Sequence, residues 1–254
     1  MTGAGARAPL RGAAALALLL ALGCRSVPVA WTPVAADDAR PALLAASLSE
    51  LEAERRALRA TGRVETEGAG GSGFSKQLLL VERPARLRVE VIGLLEQRVL
   101  VLATDGERYD LYRAESPGFE SGEVHPGVLE EVAGLPLTPE AAVSLLLAAP
   151  GVPEGAALAR EAAGGALALT WPDQTLEFDA AGRLVALAFH PSGRDVLHAR
   201  WSEWRESAGA GGLFPHRLEL ELFEPEARWR LDYRRVELDP PLAPELFRLR
   251  PGGR

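Results

Sequence analysis

Reactive side chains are few in this chain and widely spread. Cysteine occurs once, as Cys24, so no internal disulfide forms. The four histidines, His125, His190, His198 and His216, stand apart in sequence. His190 and His198 flank a turn, but no third ligand follows at metal-binding spacing, so all four read as surface or strand histidines. Asp105, Asp179 and Asp195 fall at turns, where a carboxylate bonds its own backbone. No Gly-x-Ser-x-Gly elbow occurs to present a nucleophile. The run GAGGSG from Gly68 to Gly73 has the look of a phosphate loop, but that loop ends in Gly-Lys-Ser/Thr. Here Phe74 and Ser75 precede Lys76, and both flanks are strand-like, so the run is a hairpin connection. No enzyme is expected, and no metal.

Cys24 has chemistry of its own, set by what precedes it. Arg7 and Arg11 form a basic stretch, and Gly12 to Leu22 is apolar. That run is too short for a membrane span of about 20 residues, but it suits a signal peptide. It ends Leu20-Ala21-Leu22-Gly23-Cys24, which resembles a bacterial lipobox. The commonest lipobox has Leu three places before the Cys; here Ala21 stands there, between Leu20 and Leu22. The resemblance implies that residues 1–23 are removed and that Cys24 carries acyl groups. Several chains on one residue give stable anchoring, at about 0.8 kcal/mol per buried methylene. No other cofactor is expected. Arg25 rather than Asp follows the Cys, which by the enteric rule implies the outer membrane, facing the periplasm.

The 254 residues carry 47% hydrophobic and 25% charged side chains, a globular composition with material for a sizeable core. Removing residues 1–23 takes Arg7 and Arg11 from the 28 basic residues and none of the 35 acidic ones, leaving a formal −9. So acidic a chain excludes nucleic acid as a partner. Lys76 is its one lysine.

The elements follow from periodicity. Residues 24–36 contain Pro28 and Pro33 and read as a tether. Leu43, Leu44, Leu48, Leu51 and Leu58 recur near helical spacing over 37–60, with Asp37 or Asp38 placed to cap the helix. From Gln77 to Tyr112, short alternating runs are cut by Pro84, by residues 93–96 and by Asp105-Gly106: an antiparallel meander with one apolar face. Leu87, Val89 and Val91 share that face. The next strand, 97–103, is apolar on both sides, with Leu100 and Leu102 on one, so it is buried centrally or covered. Thr138-Pro139 starts a helix that runs to Ala148. Strands then resume to residue 237, where Leu218 and Leu220 oppose Arg217 and Glu219, and Trp229 and Leu231 oppose Arg230 and Asp232. The alternating charges form solvated cross-strand pairs. A brief strand is expected over 247–249. Trp171, Trp201, Trp204 and Trp229 fit a cavity wall or a core equally.

Two segments carry a family resemblance. One runs Val81-Glu82-Arg83-Pro84, Arg86-Leu87-Arg88-Val89, Ala103-Thr104-Asp105-Gly106, Tyr109 and Tyr112. The other is Pro215-His216-Arg217-Leu218 through Asp239 to Phe247. Both look like the LolA/LolB superfamily of lipoprotein carriers and receptors. The resemblance implies a mainly β (α+β) fold: an unclosed antiparallel half-barrel, here of about eleven strands, with an N-terminal helix and a central helix as lid over an acyl-chain cavity. Leu87, Val89, Val91, Leu100, Leu102, Leu218, Leu220, Trp229 and Leu231 are its expected wall, in one domain over 37–254. The lipidated N-terminus is similar to the receptor branch, whose third and fourth strands are joined by an exposed apolar loop. Leu94 and Leu95 fall in the corresponding connection. They are a membrane or partner contact, or else an ordinary turn packed on the sheet. The Trp pattern of the receptor members is not reproduced.

The resemblance thus implies an outer-membrane-anchored lipoprotein that binds acyl chains and takes part in lipoprotein or lipid transfer, with a soluble periplasmic carrier as partner. The alternative is a structural envelope lipoprotein with the same fold and a filled core. Cys24→Ser is expected to move the protein from the membrane fraction to the soluble one and to remove the acyl mass from its N-terminal peptide. Retention in the membrane fraction would sink the lipidation assignment.

Overall fold

The structure, a computed structural model, describes residues 30–68, 71–93, 95–116, 118–209 and 212–249. Cys24 and residues 1–23, the expected signal peptide, lie outside these. In chain order the elements are β1 (Trp31–Pro33), α1 (Arg40–Glu54), β2 (Ala57–Gly68), β3 (Gly71–Glu82), β4 (Arg86–Ile92), β5 (Arg98–Thr104), β6 (Arg108–Arg113) and β7 (Phe119–Glu123). Next come α2 (Val128–Ala133), α3 (Pro139–Leu146), β8 (Leu158–Ala162), β9 (Leu167–Thr170), β10 (Gln174–Phe178) and β11 (Leu184–Phe189). The last are β12 (Leu197–Glu206), β13 (Ala208–Gly209), β14 (Leu213–Phe223) and β15 (Glu226–Leu238). Among the described residues no helix is long and apolar enough to cross a membrane.

All strands belong to one sheet, in the order β1-β8-β9-β10-β11-β12-β14-β15-β2-β3-β4-β5-β6-β7, with β13 beside β15. Every pairing is antiparallel except β13 with β15. The sheet does not close: β1 and β7 are its free edges. Two meanders meet where the last long strand, β15, pairs with the first, β2, from Ala227↔Gly68 to Leu238↔Leu58. So a long sheet of inherently twisted strands curls into a half-barrel whose concave face holds the core.

The described residues form fifteen strands rather than about eleven. The additions are short: β1 falls inside the stretch read as tether, and Trp31 pairs with Ala162 of β8. Three or five residues carry too little alternation to be seen in sequence. The first helix also ends earlier than its leucines suggest. Arg55 is extended, and Ala57 to Ala60 already pair with β3. Leu58 and Ala60 are buried as inward residues of β2, where period 2 and period 3.6 coincide over a short window. Neither Asp37 nor Asp38 is the cap of α1: the N-cap is Ala39, without a side-chain cap bond, and Asp38, one residue earlier, accepts the Arg40 N–H at 2.8 Å. Thr138 caps α3, its Oγ1 accepting the Ala141 N–H at 3.2 Å.

Both faces of β5 are apolar because both are covered. The inner face lines the core. Outside, the C-terminal segment crosses β4 and β5 as a 3₁₀ turn over Pro244–Phe247, with Phe247 fully buried. This turn replaces the strand expected over 247–249. Polar bonds strap it down: Arg88 Nη1 donates to the Leu246 carbonyl at 2.8 Å, and Arg248 Nη1 to Asp105 at 3.0 Å. Asp110, only 1% exposed, accepts from Arg248 Nε at 3.0 Å, the Leu249 N–H at 2.8 Å and the Ser121 hydroxyl at 2.5 Å. Elsewhere on the convex face, Arg217 pairs with Asp232 at 2.7 Å, Arg228 with Glu221 at 2.9 Å, and Arg230 with Glu65. Such exposed pairs contribute about 0–1 kcal/mol each.

Burial pushes the Asp110 pKa up, but its three donors outweigh that and hold it below the ordinary Asp value. Its contribution to stability is therefore complete above the unfolded value of about 3.9, and is lost as pH falls through the lower folded value. Asp110→Asn is expected to cost about 1–3 kcal/mol at neutral pH and to flatten the loss of stability on acidification. Denaturant titrations of both proteins at neutral pH and below pH 4 measure this; an unchanged acid limb would show that the strap's charge does not matter.

Candidate functional site

Alternation decides which side chains meet inside the half-barrel. From β14 to β5 the inward residues pair across strands: Leu220 with Trp229, Trp229 with Thr66, Leu218 with Leu231, Leu231 with Val64. On the other side Gln77 pairs with Val91, Leu79 with Val89, Val89 with Leu102, and Val91 with Leu100. Six adjacent strands thus present one apolar wall. The connection between the two meanders roofs it: Leu129, Val132 and Ala133 from α2, Leu135 and Leu137 from the loop, and Ala142, Leu145 and Leu146 from α3. Wall and roof enclose a cavity of about 410 Å³. All nine expected wall residues (Leu87, Val89, Val91, Leu100, Leu102, Leu218, Leu220, Trp229 and Leu231) line it.

The lining is graded. Along β3 it passes from Leu79, buried, through half-buried Gln77 and Ser75 to exposed Gly73. The cavity therefore opens at the Gly71 end of β3. The opposite end is occupied by α1, which supplies none of the lining. Arg40 at its start bonds Glu161, and Glu52 near its finish reaches Arg83 at 3.4 Å, beyond the end of β3. Between them Leu44 packs on the β10–β11 turn so closely that a Cβ on Gly182 would lie 3.1 Å from it. Hence α2 and α3 roof the cavity while α1 lies across its closed end. The lining's polar side chains are Thr66, Ser75 and Gln77, toward the mouth, and none is charged.

The far end of α3 is held from four directions. Trp201 Nε1 donates to the Leu145 carbonyl at 3.2 Å, and the Tyr233 hydroxyl to Leu146 at 3.2 Å. Arg55 Nη1 donates to Leu147 at 2.9 Å, and Arg83 Nη2 to Ala149. Arg83 also reaches the Ser144 hydroxyl at 3.1 Å. The Leu145 carbonyl also accepts the Ala148 N–H at 3.0 Å; the others lie at and just past the helix end, where backbone donors run out, and cations there also meet the negative end of the helix dipole. Arg55 lies 5.2 Å from the Phe214 ring centroid and bonds the Leu213 carbonyl at 3.2 Å. Burial pushes its pKa down to about 10, so it stays charged at neutral pH. Burial likewise lowers Arg83 and raises the Tyr233 phenol.

The tryptophans divide. Trp229 lines the cavity, whereas Trp171 and Trp201 are core and Trp204 packs beside them. Leu94 lies outside the described residues. Leu95 is 87% exposed on a tight turn closed by the Gly93 N–H to the Gln97 carbonyl. It is not packed on the sheet, which corrects the expectation of an ordinary covered turn. Since Lys76 pairs with Ile92 and bonds Glu96, this turn stands at the mouth end. Each histidine has its own neighbour: Glu131 for His125, Thr175 for His190, Asp195 for His198, and the Phe214 carbonyl for His216. Among the described residues no three His, Cys, Asp or Glu are grouped to hold a metal ion. The sequence offers a helical turn over Val128–Val132, where α2 lies, but does not show that residues 129 to 137 line a cavity, because a six-residue helix has no measurable period to mark an inward face.

An open antiparallel half-barrel with a roofed apolar cavity defines the class, and comparison with solved structures agrees. The chain has a LolA/LolB-like fold. It superposes on a LolA superfamily protein from Nitrosomonas europaea with a TM-score of 0.52 at 16% identity, covering 81% of this chain and 97% of that one. A DUF1329 family protein from Desulfovibrio piger superposes with a TM-score of 0.51 at 10% identity, covering 81% of this chain and 94% of that one. No family model and no curated protein matches by sequence.

Arg55→Met removes the donor from one buried carbonyl, Leu147, and one part-buried carbonyl, Leu213. It is expected to cost about 2–3 kcal/mol and to speed amide exchange over 139–149 more than in the strands. Exchange mass spectrometry reads this directly; uniform acceleration would mean that the bonds to α3 are not what holds it.

Proposed function

We propose that this chain is a cell-envelope lipoprotein, anchored through acyl groups on Cys24, that takes up acyl chains in its cavity and takes part in lipoprotein or lipid transfer at the outer membrane. The observation that carries this reading is the 410 Å³ cavity, walled by aliphatic side chains and Trp229 and open at one end. A concave, mostly apolar site with a few convergent polar groups is the usual form of a small-ligand site. A tail entering it leaves water at about 0.8 kcal/mol per methylene. A structural lipoprotein with a filled core would have no use for such a volume. The LolA/LolB-like fold supports the reading, since one structural neighbour is named for that superfamily.

The mouth fits the same role. Leu95 projects there and is the residue this reading assigns to the membrane surface or to a soluble carrier delivering cargo. No step of bond making or breaking is needed; the cavity exchanges an apolar ligand between apolar environments.

Unlipidated Cys24→Ser protein, analysed by native mass spectrometry, is expected to carry co-purified lipid and, once stripped, to take up a fluorescent fatty acid. Leu95→Asp is expected to slow uptake from vesicles several-fold while leaving occupancy at equilibrium unchanged. Protein that carries no lipid and takes up none would sink the carrier reading.

A further inference from the structure

The point where the chain enters the fold and the mouth of the cavity stand at opposite ends of the sheet. We infer that, in the anchored protein, the mouth end faces away from the bilayer holding Cys24 and docks a soluble protein whose contact surface is apolar and ringed by basic residues. The inference rests on the anchoring reading above. Of the two contacts open to Leu95, it selects the protein.

The chain enters at the closed end. Trp31, the first residue of β1, pairs with Ala162, where the β8–β9 hairpin begins. A Cβ on Gly165 of that hairpin would lie 3.6 Å from the Ala180 Cβ, on the same β10–β11 turn that receives Leu44 of α1. From Trp31, β1 runs toward the mouth. The segment that joins it to Cys24 is therefore attached at the end that α1 covers.

Length then limits the orientation. Cys24 precedes Trp31 by seven residues, and even fully extended these span at most about 25 Å. Glu82, at the closed end of β3, and Gly73, at the mouth, are nine residues apart, or about 30 Å. Setting the mouth head-on against the anchoring bilayer would lift the closed end, and Trp31 with it, farther than the tether reaches. A molecule lying on its side keeps the cavity parallel to the lipid surface. The orientations within reach leave the mouth open to the aqueous side.

What the mouth end exposes gives the partner's chemistry. Strand pairings carry this end around the sheet: Gly68 with Ala227, Ala227 with Leu222, Leu222 with Leu197, and Leu197 with Phe189. Phe74, Leu95, Leu158, Phe189 and Phe223 stand exposed along it. The turns around them are acidic. Among the described residues the β4–β5, β6–β7, β9–β10, β11–β12 and β14–β15 turns expose Glu96, Glu115, Asp173, Asp195 and Glu224, against one arginine, Arg194. Arg194 itself reaches Glu224 at 3.8 Å. Apolar side chains within an acidic ring match a surface with a basic ring, and like charge turns other proteins away.

The test uses the lipidated full-length protein in phosphatidylcholine vesicles that contain a lipid with a quencher on its headgroup. A fluorophore attached through A163C, on the β8–β9 hairpin, should lose most of its emission. One attached through L95C or F223C should lose little. Inserting about twenty Gly and Ser residues into the tether, enough to free the orientation, should bring the three labels to equal quenching. A leucine–lysine peptide should shift the L95C emission, and its leucine–glutamate counterpart should not. Glu115→Lys with Glu224→Lys should weaken the lysine peptide about tenfold. Rim labels quenched as strongly as A163C on the native tether would overturn the orientation. Equal binding of the two peptides, or no loss on charge reversal, would overturn the basic partner. Protein that never joins the vesicles would overturn the anchoring reading and this inference together. Fatty-acid uptake by the unlipidated protein tests the cavity independently of all these results.

Discussion

Between Leu145 and Ala149 the backbone runs out of helix, and four of its carbonyls accept side-chain donors from elsewhere. They receive them from β12, β15, the α1–β2 link and the β3–β4 turn, through Trp201, Tyr233, Arg55 and Arg83. A buried carbonyl without a partner is costly, so these bonds fix where α3 ends. That end fixes the roof, and the roof turns a curved sheet with a greasy face into an enclosed cavity. The four donors come from both meanders, so the same bonds also tie the two halves together across the concave side. On the sheet itself, the β15–β2 pairing does so strand to strand.

The convex side has a counterpart. Phe247 and the Arg248–Asp110 bond press the C-terminal segment onto β4, β5 and β6, covering apolar surface that a half-barrel would otherwise expose. With the outer face of β5 sealed by the chain's own tail, its inner face is free to serve the cavity. The charges on the convex faces of β14, β15 and β2 stand in paired rows, which keeps charge out of the cavity. Function and fold divide the sheet between them: the alternation that solvates one face leaves the other apolar.

Legibility varied with element length. Seven of the nine wall residues lie on β4, β14 and β15, strands of seven to thirteen residues that show period 2 plainly, whereas Leu100 and Leu102 lie on a strand apolar on both faces. The apolar outer face of β5 announced a cover without saying that residues 244–247 supply it. The start of α3 was written in Thr138-Pro139, whereas α2, at six residues, showed as a helical turn without a face, and β1, at three, left no period to read. The leucine spacing of 43–58 carried the helix too far, because Leu58 satisfies both a helical and an alternating pattern.

What the sequence by itself determined is therefore local: the faces of the long strands, the caps and the turns. These follow from backbone periods and side-chain chemistry acting over a few residues. Only the tertiary structure decided that the inward faces of six strands enclose a void rather than meet and fill it. That depends on the distance between α3 and the sheet, and the distance is set by bonds spanning 56 residues from Trp201 to Leu145 and 92 from Arg55 to Leu147. No local pattern encodes a separation of that kind, because it arises from donors and carbonyls that become neighbours only once the sheet has curled.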